Sequence, residues 1–304
     1  MTATFIGSKQ LTIKDELKAI SFSVLVQYPT YVPSKPTAFG PYIMDVSVNS
    51  DIADGNFSLI IISHGTGGSP MLYRTISLFL AKNGYVAAMI EHYGNNRLNN
   101  ELEGKNENFV NRLRHITLTI DYLFSAKEFA KCLQNDNVAV IGHSIGANTA
   151  LVLAGGEPIS YSDYRRQFGQ TIHMGEETYE MSFNIDNRIK AVVLFALTPG
   201  WFTGDNSLKN INIPVLIYNA EKDDYIPDKQ VKSFLEIAKT NPLIDFKIVK
   251  DAGHFSFLSP FPVIIKDKVG LAARDPEGFN RENFHNLLQT EIYNFLNNRV
   301  IARR

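Results

Sequence analysis

The chain has 304 residues, of which 44% are hydrophobic and 20% are charged, the balance of a folded protein with a sizeable buried core. Its 30 lysines and arginines and 31 acidic residues give a formal net charge of -1, so overall charge does not favour nucleic acid as a partner. The single cysteine, Cys132, excludes an intramolecular disulfide and fits a reducing compartment.

Strand-like and helix-like segments alternate along the chain. The alternating, β-rich segment 20–28 predicts an antiparallel edge strand, and the four prolines of 28–42 predict a loop. The near-continuous apolar run 57–63 (FSLIIIS) is typical of a strand buried on both faces. The remaining predicted strands are 85–91, 137–141, 190–196, 215–218 and 246–249. The predicted helices are 71–83, 110–124, 147–154, 229–238 and 282–297.

This alternation predicts a mostly parallel central sheet with helices on both faces. The length permits one large α/β domain, and we predict a single domain over residues 1–304. The long connections 155–187 and 256–280 predict insertions that form a cap or the walls of a pocket. The polar stretch 94–107, rich in turn-forming glycine and asparagine, predicts a loop on the functional face of the sheet.

No uninterrupted apolar run reaches the roughly 18 residues that a membrane-spanning helix needs. The first seven residues, MTATFIG, lack the basic and apolar regions of a secretory signal peptide. We therefore expect a cytoplasmic protein with no stable membrane insertion.

Segment 142–146 (GHSIG) has the form Gly-x-Ser-x-Gly, between the predicted strand 137–141 and the predicted helix 147–154. This strand-turn-helix setting is the one in which the motif exposes a nucleophilic serine. The turn is so tight that neighbours two positions away must be small, which its two glycines satisfy. A neutral hydroxyl is a poor nucleophile, so Ser144 needs a histidine base and a carboxylate that orients it.

Three of the seven histidines follow Ser144 in the chain, and His254 is the predicted base. It comes directly after the predicted strand 246–249, and the glycine before it lets the backbone turn. His173 lies in an insertion with no strand before it. His285 lies in the C-terminal helix, where we expect a packing or surface role.

The orienting acid is expected after the preceding strand, 215–218, where both Asp223 and Asp224 qualify. Asp223 lies three positions after the small residue Ala220 and four before Pro227, and both spacings favour it. Two other acidic residues do not follow a strand directly and are weaker candidates: Asp186 and Asp205.

Attack on a carbonyl creates an oxyanion, which needs fixed hydrogen-bond donors. One predicted donor is the backbone N–H of Ile145, the residue after the nucleophile. The glycine-rich loop 64–68 (HGTGG) supplies the other, with Thr66 preferred over Gly67, and His64 is expected to brace the loop. The loop lacks the spacing of nucleotide-binding motifs, and no metal-binding motif is present, so we expect neither cofactor nor metal.

Several stretches resemble bacterial predicted dienelactone hydrolases and, more distantly, platelet-activating-factor acetylhydrolases. They are 60–93 (IIISHGTGGSPMLYRTISLFLAKNGYVAAMIEHY), 142–146 (GHSIG), 252–258 (AGHFSFL) and, for the former group, 275–285 (DPEGFNRENFH). The resemblance covers roughly residues 23–295. It implies an α/β-hydrolase core, a Ser-Asp-His triad, cleavage of carboxylic esters or related acyl bonds, and the two oxyanion donors named above.

Two features depart from these families. Dienelactone hydrolases use a cysteine nucleophile where this chain has Ser144, which argues against dienelactone itself as the substrate. The acetylhydrolases place their acid after the strand that matches 190–196, where this chain has no carboxylate in 196–198 (ALT), so Asp223 remains the predicted acid.

The leading hypothesis is a serine hydrolase that cleaves a carboxylic ester of a small or lipid-like substrate through an acyl-enzyme on Ser144. The same triad could serve an amidase, a peptidase or an acyltransferase. A non-catalytic binding module on a hydrolase fold is disfavoured because the serine, the histidine and the acid are all present. The expected partner is a small-molecule ester.

Overall fold

The computed structural model describes residues 5–167, 169, 184–204 and 206–298. The strands within these residues are β1 (Phe5–Asp15), β2 (Ile20–Thr30), β3 (Lys35–Phe39), β4 (Tyr42–Val48), β5 (Phe57–Ser63), β6 (Tyr85–Glu91), β7 (Leu133–His143), β8 (Ile189–Phe195), β9 (Val215–Ala220) and β10 (Ile244–Val249). The helices are α1 (Arg74–Lys82), α2 (Asn106–Ser125), α3 (Lys127–Ala130), α4 (Ile145–Leu153), α5 (Tyr161–Gln167), α6 (Asp228–Ala238), α7 (Val263–Val269) and α8 (Arg281–Leu296).

The ten strands of the described residues form one sheet in the order β10-β9-β8-β7-β5-β6-β2-β1-β4-β3. The six strands from β5 to β10 pair in parallel, which confirms the predicted mostly parallel sheet. Their carboxyl ends therefore meet at one edge, where the loops that follow them can share a site.

Both faces of the parallel strands are buried, with alternate residues in two separate cores. In β5, Leu59 and Ile61 pack on the face covered by α2 and α4, whereas Ile60 and Ile62 pack on the face covered by α1 and α8. A strand with apolar partners on both sides has no solvent-facing position. This explains the continuous apolar run that predicted β5.

Two predictions at the amino-terminal end are wrong. β2 is antiparallel, as predicted, but it lies inside the sheet because β1 pairs along its whole length and β6 lies on its other side. The proline-rich segment 28–42 contains β3, which forms a hairpin with β4. Pro36 is tolerated there because β3 is the last strand of the sheet, where a missing N–H breaks no ladder.

The two long connections interrupt the alternation of strands and helices. The first contains α5, and most of the rest of 155–187 lies outside the described residues. The second, 256–280, contains α7 and a short 3₁₀ turn at Gly270–Ala273. Their role as a cap or pocket wall, and the single domain, stay predictions. Within the described residues, none of the helices combines the length and apolarity needed to cross a bilayer.

Candidate active site

Ser144 occupies a sharp turn between β7, which ends at His143, and α4, which begins at Ile145. Its backbone has φ 55° and ψ -123°, a combination that a residue with a side chain adopts only when its surroundings impose it. Such strain costs on the order of 1–3 kcal/mol and is concentrated at functional sites. The N–H of Ser144 donates to the carbonyl of Phe195 (2.9 Å), which fixes the turn at the carboxyl end of β8.

The two glycines of the turn allow a very close approach of backbone segments. A Cβ atom on Gly142 would lie 2.2 Å from the carbonyl oxygen of Gly146, and one on Gly146 would lie 2.2 Å from that of Ser63. Because both neighbours are backbone, neither can move aside. The N-terminus of α4 is therefore held directly over the end of β5.

A buried hydrogen bond joins His254 to Asp223. His254 Nδ1 lies 2.8 Å from Asp223 Oδ2, and the two side chains are 7% and 4% exposed. Oδ1 of Asp223 accepts the backbone N–H groups of Tyr225 (2.9 Å) and Ile226 (3.1 Å). Since a carboxylate only accepts, Nδ1 carries a proton, and the neutral form of the ring therefore has its lone pair on Nε2. Asp224, the alternative acid, is exposed and forms no hydrogen bond or ion pair with His254 in the described structure.

His143 connects the turn of Ser144 to the loop that carries His254, a role that sequence reasoning missed. Its Nε2 lies 3.0 Å from the carbonyl oxygen of His254, and because a carbonyl only accepts, Nε2–H donates. The two rings lie 5.1 Å apart between centroids. Burial lowers the pKa of His143 to about 3, so its ring stays neutral at physiological pH. Its position inside the Gly-x-Ser-x-Gly segment was the only available signal.

The Ser144 hydroxyl forms no hydrogen bond to any of the described residues. The serine-to-histidine contact is thus open in this structure, whereas the histidine-to-aspartate contact is closed. Catalytic hydrogen bonds are often long in the absence of substrate and tighten in the Michaelis complex.

The loop after β5 lies against the serine turn. A Cβ atom on Gly65 would be 3.2 Å from the Cβ of Ser144. The backbone N–H groups of Thr66 and Gly67 have no hydrogen-bond partner in the part of the chain that the structure describes. Ile145 is the first residue of α4, so its N–H has no acceptor in a preceding helical turn. These three N–H groups therefore have no hydrogen-bond acceptor within the described residues.

The other candidates take no place in this arrangement. His285 is buried in α8 and contacts Thr75 Oγ1 (3.1 Å), so it packs between helices. Asp186 pairs with Arg188 (2.7 Å) just before β8, at the opposite end of the strand from Ser144. Two candidates lie outside the described residues: His173 and Asp205.

Part of the chain matches a known family. Residues 35–112 match the model described as platelet-activating factor acetylhydrolase, isoform II. An alignment of 157 positions shows 24% identity to the platelet-activating factor acetylhydrolase of Canis lupus familiaris and covers 37% of this chain and 35% of the canine protein. The chain thus spans about a third of the length of the curated relative that it matches.

Solved structures resemble nearly the whole chain. The ferulic acid esterase from Streptomyces cinnamoneus has a TM-score of 0.70 at 16% identity, over 98% of this chain and 91% of that one. The chain has an α/β-hydrolase fold. A dienelactone hydrolase-like promiscuous phosphotriesterase from metagenomic libraries gives a TM-score of 0.60 at 13% identity, over 96% of this chain and 99% of that one. The resemblances expected from the sequence are confirmed, and at these identities the structural likeness shows the α/β-hydrolase fold alone.

Six histidines of the described residues are buried: His64, His92, His115, His143, His254 and His285. Burial lowers the pKa of His64, His115 and His143 from the ordinary value of 6.5 to about 3, and that of His285 to about 4. Within the described residues, no group of three or more His, Cys, Asp or Glu side chains could hold a metal ion. With these lowered pKa values the four rings are neutral at pH 7.

We expect the protein to lose stability as the pH falls from 6.5 towards 5. Because the folded-state pKa values lie below the unfolded ones, the unfolded chain binds more protons in this range, and each such histidine costs up to about 1.4 kcal/mol per pH unit. Urea unfolding at pH 7.5, 6.5 and 5 measures the effect, and carboxylates with ordinary or lowered pKa values stay mostly ionised over this range. An unchanged free energy of unfolding between pH 6.5 and 5 would contradict it.

Proposed function

We propose that the protein is a serine hydrolase that cleaves a carboxylic ester of a small or lipid-like substrate through an acyl-enzyme on Ser144. The observation that carries the proposal is the buried His254–Asp223 hydrogen bond at the same sheet edge as the strained turn of Ser144. A histidine oriented in this way presents Nε2 as a base. The available amides of Thr66 and Ile145 add the donors that acyl transfer needs.

The reaction proceeds in two steps. Oγ of Ser144 attacks the ester carbonyl carbon while Nε2 of His254 takes its proton, and the carbonyl oxygen becomes an oxyanion on the N–H groups of Thr66 and Ile145. When the C–O bond breaks, the leaving alkoxide takes the proton from His254 and the acyl group stays on Ser144. A water molecule then attacks the acyl carbon while His254 takes its proton. The bond between the acyl carbon and Oγ of Ser144 breaks, Oγ takes the proton from His254, and the carboxylic acid is released.

Labelling with a fluorophosphonate tests the nucleophile directly. We expect the folded protein to be labelled at Ser144, identified by peptide mass spectrometry, and to hydrolyse short p-nitrophenyl esters. A matched panel of esters, lactones, amides and peptides then separates esterase from amidase or peptidase activity. Folded protein that is neither labelled nor active on any member of the panel would contradict the proposal.

A cavity of about 340 Å³ lies among residues that follow β8 and β9, at the carboxyl edge of the sheet. Pro199, Phe202, Pro227 and Phe234 form its apolar walls. Gln230, which also lines it, is 7% exposed, and its Oε1 has no hydrogen-bond partner within the described chain. An unpaired buried oxygen costs about 1–3 kcal/mol, which a ligand that donates a hydrogen bond can recover once a change of the Gln230 rotamer turns the oxygen towards the cavity. We assign this cavity to a part of the substrate that carries such a donor.

The Gln230→Leu variant is expected to be more stable and less selective. Removing the unpaired oxygen should raise the free energy of unfolding by about 1 kcal/mol. The kcat/KM preference for a p-nitrophenyl ester of a hydroxy acid over the matching alkyl ester should fall by about tenfold, because the hydroxyl loses its acceptor. Urea unfolding and steady-state kinetics measure the two effects.

Gln27→Leu is the matched control for this variant. Gln27 is also buried and also has an unpaired Oε1 within the described chain, but it lies in β2, away from the cavity. It should alter stability and leave the ester preference unchanged. If Gln230→Leu has the same ester preference as wild type and Gln27→Leu, the cavity does not bind this part of the substrate.

A further inference from the structure

Arg112 in α2 is fully buried without an acidic partner. Its side chain is 0% exposed, and no carboxylate within the described residues pairs with it. Instead, Nε and Nη2 donate to Asn95 Oδ1 (2.9 and 2.7 Å), and Nη1 donates to the carbonyl of His64 (2.7 Å). Burying a guanidinium among neutral groups is costly, since desolvation is not repaid by an ion pair. An arginine kept in such a place calls for a reason beyond stability.

The acceptors of Arg112 belong to the loop that carries Thr66. In addition to the contact between Nη1 and His64, Nη2 of Arg112 lies 3.4 Å from the carbonyl oxygen of Gly65. The same oxygen accepts Nδ1–H of His64 (2.7 Å) and the N–H of Gly68 (3.1 Å). The carbonyl of Gly65 is therefore held towards the protein interior by three donors.

This carbonyl and the N–H of Thr66 belong to one peptide group. A trans peptide is planar, so its N–H points away from its C=O. Fixing the Gly65 carbonyl towards buried Arg112 turns the N–H of Thr66 the opposite way. That N–H has no hydrogen-bond partner within the described residues.

We infer that Arg112 is a positioning residue for the oxyanion hole, which holds the peptide between Gly65 and Thr66 so that its N–H faces the substrate. The inference rests on the proposed function. Arg112 touches no reacting atom and acts through the loop. Its charge also polarises the peptide that it contacts, which strengthens the Thr66 N–H as a donor.

The surrounding groups leave this charge unopposed. His64 donates through Nδ1 and accepts the N–H of His92 at Nε2 (3.2 Å), so its ring is neutral. Burial is the main cause that lowers the pKa of His92 and His115 far below neutrality, and the positive charge of Arg112 is the second. Burial also lowers the pKa of Arg112 to about 9, which still leaves it protonated at pH 7. A fixed positive charge therefore lies behind the oxyanion loop.

Arg112→Met, Arg112→Lys and Arg114→Met test this role. Arg114 lies in the same helix, but it is part-exposed and pairs with Asp15 (2.6 Å), so its variant is a matched control. We expect Arg112→Met to lower kcat on p-nitrophenyl butyrate by about 10- to 100-fold with KM within about twofold, because the donor acts mainly on the transition state. Arg112→Lys should recover part of the loss. Arg114→Met should lose stability while keeping its kcat.

Hydrogen–deuterium exchange of the peptide that contains 64–68 gives a readout independent of activity. Exchange there should accelerate in both Arg112 variants and not in Arg114→Met. If Arg112→Met does not fold, Arg112→Lys supplies the test, since one ammonium cannot reproduce the forked contacts to Asn95 and His64.

Two outcomes are distinguishable. A folded Arg112 variant with wild-type kcat, or with wild-type exchange at 64–68, overturns the positioning role while an active wild type upholds the proposed function. A wild type that hydrolyses no ester and leaves Ser144 unlabelled overturns the proposed function, and the oxyanion role of Arg112 with it.

Discussion

The Ser144→Ala protein is expected to hydrolyse short p-nitrophenyl esters about 10⁴- to 10⁶-fold more slowly than wild type, because it has no oxygen to form the acyl-enzyme. The amides of Thr66 and Ile145 remain in place and leave a small residual rate above that in water. Steady-state kinetics with p-nitrophenyl butyrate measures the loss. Labelling by a fluorophosphonate should disappear in the same variant.

Stability separates this loss from unfolding. Alanine at position 144 keeps the strained φ of 55°, and the removed hydroxyl makes no hydrogen bond within the described structure, so the free energy of unfolding should change little. Ser125→Ala is a control, since Ser125 lies exposed at the far end of α2. A folded Ser144→Ala protein that keeps a rate within tenfold of wild type would show that another residue carries the reaction.

The parallel strands were predictable because burial on both faces leaves a local signature. The segments 57–63 and 85–91 predicted from the sequence coincide with β5 and β6. β7 begins four residues earlier than predicted, at Leu133, because the next three residues, 134–136 (QND), are polar and at least partly exposed and so lack the apolar pattern of a buried strand. The place of β2 in the sheet could not be predicted, since its own residues do not encode which strand pairs beside it.

Only those site residues whose place follows from their order along the chain could be predicted from the sequence. The order of nucleophile, acid and base along parallel strands predicts which strand end each group follows, and spacing favoured Asp223 over Asp224. Arg112 and Arg114 look alike in the segment 111–115 (NRLRH), yet one is buried against the loop after β5 and the other pairs with β1. Such roles depend on contacts across 47 or more positions, which one sequence does not display.

Asp223→Asn is expected to lower kcat by about 10⁴-fold. The backbone N–H groups of Tyr225 and Ile226 need an acceptor at the position of Oδ1, so the amide oxygen must stay there. The amide NH₂ then faces Nδ1 of His254 as a donor. Nδ1 must give up its proton to accept, which moves the proton to Nε2 and removes the lone pair that takes the proton of Ser144.

Asp224→Asn makes the same chemical change one position along and is the matched control. Asp224 is exposed, whereas Asp223 lies against the His254 ring, so Asp224→Asn should keep kcat within about twofold of wild type. Both variants remove one negative charge from the same loop, so a purely long-range electrostatic effect would slow them alike. Equal losses would therefore contradict the tautomer argument, and a loss confined to Asp224→Asn would assign the orienting acid to Asp224.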